Sequence, residues 1–130
     1  MKKPLAILSV VLFAHQASAD QLKFEIGDIF SCTSKKFVDL DGIEKGDNIS
    51  VFRVVEDIAM NSQSIQFGDI QDSSSYLRNK VLQIKSKENG VLRAVDIYRV
   101  FTMEDLDFYM ASVDPQDMVL MTGKCKKLDK

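Results

Sequence analysis

The sequence predicts an all-β fold, a small antiparallel up-and-down β-barrel of about seven strands closed by one disulfide. Three observations carry that expectation. Short runs of alternating apolar and polar residues recur along the chain, separated by turn formers. Asn89-Gly90 and Asp114-Pro115-Gln116-Asp117 have the chemistry of hairpin turns. Cys32 lies in the first such run and Cys125 in the last.

Met1 to Ala19 reads as a secretory signal peptide: a basic start at Lys2 and Lys3, an apolar run from Leu5 to Ala14, and the small-residue site Ala17-Ser18-Ala19. Removing those 19 of the 130 residues leaves 111, enough for one domain over residues 20–130. The processed chain keeps 15 basic and 19 acidic residues, a net charge of −4, and loses its one histidine, His15. No stretch approaches the roughly 20 apolar residues of a membrane span, and Asp20 after the cut is not the cysteine of a lipoprotein. These features point to a bacterial protein of the periplasm or the outside medium. In that oxidising setting the two cysteines are expected to pair. A loop spanning most of the chain is worth about 4–5 kcal/mol in the chain-entropy account.

Seven strands are expected: Lys23 to Phe37 (bent at Gly27), Asn48 to Glu56, Ser64 to Gly68, Asn79 to Lys87, Val91 to Phe101, Leu106 to Val113 and Met118 to Leu128. Folding at Asn89-Gly90 pairs Ile84 with Val95 and Leu82 with Ile97 on the buried face, with Gln83 opposite Asp96 and Lys87 opposite Leu92. Folding at Pro115 pairs Phe108 with Gly123, Met110 with Met121 and Ser112 with Val119, and sets Leu106 against Cys125. A Cys32–Cys125 bridge would then tie the first strand to the last and remove the exposed sheet edges. A rival reading makes Tyr76 to Asn89 a helix, capped by Ser75, with Leu77, Val81 and Ile84 at near-helical spacing and Gly90 at its end.

Composition excludes much chemistry. Without histidine in the processed chain there is no Ser-His-Asp or Cys-His nucleophile and no histidine-built metal or haem site. The glycines are scattered at turns and form no phosphate loop, and the acidic balance does not suit nucleic acid. No cofactor is expected. Asp39 to Asp47 has aspartates at alternate positions and a glycine, echoing part of a calcium loop, but lacks its third early ligand and the glutamate at position twelve. It reads as an acidic turn, and no metal site is assigned. In a seven-strand meander the loops after strands one, three and five share one end of the barrel. That would gather Asp39, Asp41, Glu44, Asp47, Asp69, Asp72, Glu104, Asp105 and Asp107 at one end, with Asp39, Asp41, Glu44, Asp47, Glu104, Asp105 and Asp107 as the acidic binding face, beside a basic seam of Lys35, Lys36, Lys126, Lys127 and Lys130.

Phe30-Ser31-Cys32 near the start and Gly123-Lys124-Cys125 near the end resemble the layout of small periplasmic β-barrel inhibitors of c-type lysozyme, in which an aromatic-x-Cys is bridged to a cysteine near the C-terminus. The resemblance covers the two ends and the overall size. It implies the same kind of barrel and an inhibitor-like role. The Ser-Gly-x-x-Tyr motif that carries inhibition in that family has no counterpart, since Ser73-Ser74-Ser75-Tyr76 departs from it; no functional residue is carried over. The expected function is a non-enzymatic exported barrel that binds an extracytoplasmic partner, a protein first of all. The alternatives are a small-ligand carrier of the calycin kind, which needs an open apolar interior, and a carboxylate-based hydrolase, which needs two carboxyl groups flanking a cleft.

Overall fold

The computed structural model describes residues 21–39, 42–44, 48–68, 77–115 and 117–129. The described residues form nine strands: β1 (Ile29–Asp39), β2 (Gly42–Glu44), β3 (Asn48–Asp57), β4 (Ser62–Phe67), β5 (Val81–Ser86), β6 (Val91–Val95), β7 (Arg99–Glu104), β8 (Asp107–Asp114) and β9 (Asp117–Leu128). The sheet runs in the order β2-β1-β3-β4-β5-β6-β7-β8-β9, and β1 also pairs antiparallel with β9, closing the wall. Eight strands make the barrel, while β2 only extends the far end of β1 as a short hairpin. The expected all-β antiparallel barrel is therefore present. No helix among the described residues is long and apolar enough to cross a membrane.

The expected Cys32–Cys125 disulfide is formed, between residues directly opposite each other on β1 and β9. The predicted register of the last hairpin holds at Phe108↔Gly123, Met110↔Met121 and Ser112↔Val119, and the Cys125 amide donates to the Leu106 carbonyl at 2.7 Å.

The strand expected over Val91 to Phe101 is instead two strands, β6 and β7, folded on each other so that Val95 meets Val100 and Ala94 meets Phe101. Asp96 makes the turn. Its Oδ1 accepts from the amides of Tyr98 (2.8 Å) and Arg99 (2.7 Å), an Asx-type arrangement in which the side chain stands in for backbone. The Asn89-Gly90 turn forms with φ of 59° and 77°, but the ladder beyond it slips at a bulge between Ile84 and Ser86. Ile84 pairs with Ala94 and Gln83 with Val95, rather than Ile84 with Val95. That one-residue insertion turns Ala94 inward and Val95 outward. The helical reading of Tyr76 to Asn89 is not realised, because Val81–Ser86 is a strand. Gly27 does bend the chain, with φ of 92°, but residues 21–28 are not strand.

The interior is filled. Phe30, Phe52, Phe67, Phe101 and Phe108 are fully buried and touch in series, with neighbouring ring centroids 5.2–5.7 Å apart. Leu82, Leu92, Ile65, Val54, Met103 and Met121 pack around them. Ahead of β1, Phe24 is buried and packs on Phe30 at 5.6 Å. The turn that carries it is held by the Gly27 amide on the Val54 carbonyl (2.8 Å) and by the Glu25 amide on Asp28 Oδ2 (2.8 Å). Asp28 is itself buried and ion-paired with Lys127 at 3.1 Å. Leu77 is buried in the connection ahead of β5.

Candidate functional site

Among the described residues, the members of the expected acidic face lie toward opposite ends of the barrel. Splitting one strand into two adds a chain reversal, so the turn after β7 opens at the end opposite the turn after β1. Asp39 is level with Val119 of β9, whereas Asp107 is level with Lys124. Five positions along a strand separate them, roughly 17 Å. Asp39 and Glu44 lie in β1 and β2; Asp41, Asp47, Asp69 and Asp72 lie outside the described residues. Glu104, Asp105 and Asp107 form the tight β7–β8 turn, with positive φ at Asp105 (51°) and Leu106 (67°). Asp107 is committed to its cross-strand neighbour, its Oδ1 accepting from Lys124 Nζ at 2.6 Å. That hydrogen bond, helped by the carboxylate's charge, holds the Lys124 ammonium above the usual lysine range. The basic seam is spread out too: Lys36 is level with Thr122 and Lys126 with Ser31, near opposite ends of the antiparallel pair. Among the described residues no group of three or more His, Cys, Asp or Glu is placed to hold a metal ion.

A different feature stands out on the outer wall of β7, β8 and β9. An antiparallel strand with one face in the core normally turns polar residues outward. Here the inward set is Arg99, Phe101, Met103, Phe108, Met110, Ser112, Val119 and Met121, yet the alternate positions are also largely apolar. Val100, Ala111 and Leu120 lie side by side across three strands, continued by Val95 on β6 and Val38 on β1. Val113 and Met118 follow as the next pair toward the hairpin tip. In the other direction Tyr109 stands between Thr102 and Thr122. Val100, Tyr109, Val113, Met118 and Leu120 keep between 43% and 62% of their surface in solvent. Small Ala111 sits among larger neighbours and leaves a shallow hollow of about 260 Å³ lined by Val100, Thr102, Tyr109, Leu120 and Thr122.

Two turns frame this wall at one barrel end, and a buried cation joins them. Arg99 points inward from β7 and is 3% exposed. Its Nη1 donates to Asp96 Oδ2 at 3.2 Å, and its Nη2 lies 3.6 Å from Asp114 Oδ2. One guanidinium thus links the β6–β7 turn to the β8–β9 hairpin, aided by the Val113 amide donating to the Tyr98 carbonyl at 2.9 Å. Tyr98 of one turn and Val113 and Met118 of the other are thereby held next to each other. At the wall's opposite margin Glu104 and the Asp107–Lys124 pair mark the change to charge.

The sequence held a signal for this surface. Met118-Val119-Leu120-Met121 is apolar in both phases, and Tyr109, Ala111 and Val113 interleave with the core residues Phe108 and Met110. Such runs match strands covered on both faces. Comparison with known proteins found no matching family model, no matching curated protein and no matching solved structure.

Proposed function

We propose that this chain is a non-enzymatic exported barrel of the periplasm or the outside medium that binds an extracytoplasmic protein through the outer wall of β7, β8 and β9. The exposed apolar wall carries the reading. A contiguous patch of this size rimmed by polar groups is the usual mark of a protein contact, and its two tyrosines suit a surface that is apolar in body and polar at its edge. The disulfide fits an oxidising compartment. The continuous stack of phenylalanine rings supports a filled barrel over the interior cavity that a carrier requires.

The test is site-specific photo-crosslinking. A benzoylphenylalanine replaces Tyr109 on the wall, or Gln66 on the far side of the barrel, in the chain exported by its host; purified c-type lysozyme is presented in a separate arm. The expected result is a discrete protein adduct from position 109, absent from position 66 and lost on Leu120→Lys. Adducts from neither position, or equally from both, would overturn the reading.

A further inference from the structure

Resting on that reading, we infer that the protein seated on the β7–β9 wall is a second copy of this chain, related by a two-fold axis through the middle of the patch. Three observations lead there.

The first is area. Tyr98, Val100, Tyr109, Val113, Met118 and Leu120 expose 39–62% of their surface. At roughly 200 Å² for a large side chain, that is about 600 Å² of apolar surface. With its polar margin the wall reaches the roughly 800 Å² per partner that a stable interface uses. Homodimer contacts are also the more apolar class.

The second is shape. The hollow over Ala111 and the projecting side chains of Tyr109 and Leu120 lie beside one another on the same face. A two-fold contact matches a surface to itself, so each feature must find its complement on an identical patch. A knob next to a hole meets that condition: Tyr109 or Leu120 of each copy enters the hollow of the other.

The third is charge. The row bordering the patch on β7, β8 and β9 reads Glu104, Asp107, Lys124, with Arg93 of β6 one row nearer the patch. With Lys36, level with Thr122 in the same row as Arg93, two anions and three cations mix both signs along that margin. A margin of one sign would repel its own image, whereas this one approaches a copy of itself without penalty.

The experiment is sedimentation velocity on the purified exported chain, with its disulfide intact, up to about 100 µM, a range that resolves weak association. The expected result is a species of twice the chain mass that dissociates on dilution, with Leu120→Lys weakening the association by at least about tenfold. Because Leu120 points outward, its thermal midpoint should stay near the parent's. A benzoylphenylalanine in place of Tyr109 should link two copies of the chain into a covalent dimer, and one in place of Gln66 none; this second measurement stands even if the lysine variant folds poorly. A chain that stays monomeric throughout, or a dimer indifferent to Leu120→Lys and equally linked through position 66, overturns the inference. If the chain is monomeric while position 109 crosslinks lysozyme or another protein, the inference falls and the reading above survives. If position 109 also crosslinks nothing, both fall.

Discussion

Gly123 shows how one residue sets the geometry of the seam. It lies on β9 opposite Ser34 and Phe108, just where β1 shifts register between Ser34 and Lys36. A Cβ there would run into the Thr33 carbonyl oxygen and come within 2.7 Å of the Phe108 ring and 2.8 Å of the Ser34 Cα. Two of those obstacles are backbone and cannot rotate away. Gly123→Ala is therefore expected to cost about 2–3 kcal/mol, the upper part of the range for overpacking. A lower urea midpoint with an unchanged m-value would confirm it, and a parent-like midpoint would mean that the seam relaxes. The sequence already paired Phe108 with Gly123. It could not reveal the third strand at that point, because the bulge on β1 is a property of barrel closure.

At the scale of elements, the turns decide the architecture. Asp96 accepts two backbone hydrogen bonds in its turn and pairs with a guanidinium that has left water. Removing a partner of a buried charge is far costlier than losing a surface pair. Asp96→Ala is expected to lower stability by about 3 kcal/mol, and Asp96→Asn by less, since an amide oxygen still accepts in the turn. Equal losses in the two variants, read from chemical denaturation, would show that charge alone matters. The Asn89-Gly90 turn is closed by the Val91 amide on the Glu88 carbonyl at 3.1 Å, with Gly90 at φ 77°. A β-branched side chain resists that conformation, so Gly90→Val should cost about 1–3 kcal/mol. Thermal melting checks it, and an unchanged midpoint would mean that the turn has switched type. Asn-Gly was readable in the sequence because its chemistry is local. The turn at Asp96 was not, since Asp96-Ile97-Tyr98 contains neither glycine nor proline and lies in an otherwise strand-like run.

For the whole molecule, strand parity matters most. A closed meander of seven strands would bring its first and last strands together in parallel. Eight bring them together antiparallel, with Cys32 and Cys125 directly opposite each other in the ladder. The bridge spans 93 positions, so its removal releases nearly the whole chain. Replacing both cysteines with alanine is expected to cost about 2–5 kcal/mol, read as a fall in the urea midpoint against the oxidised parent. A loss under about 1 kcal/mol would show that the β1–β9 ladder closes the barrel unaided. The same parity separates the acidic residues that a seven-strand count would gather. The exposed surface of this barrel is instead distinguished by its apolar wall, which runs across β7 and β8 up to β9, one of the two strands that close it.

The fold class, the disulfide, the register of the last hairpin and most strand positions were legible in the residues alone. Each rests on local alternation, on turn chemistry carried by two or three adjacent residues, or on there being only two cysteines to pair. The tertiary structure alone decided the eighth strand, the bulges beside Lys85 and Ser34, and which residues share an end of the barrel. These depend on how strands far apart in the chain meet around a closed circumference, where one extra reversal exchanges the two ends. The apolar wall stands between the two kinds of knowledge. Its residues are visible in the sequence as strands apolar on both faces, but only the closed barrel shows which of the two faces is left in solvent, because the interior has room for one set of side chains and the phenylalanines fill it.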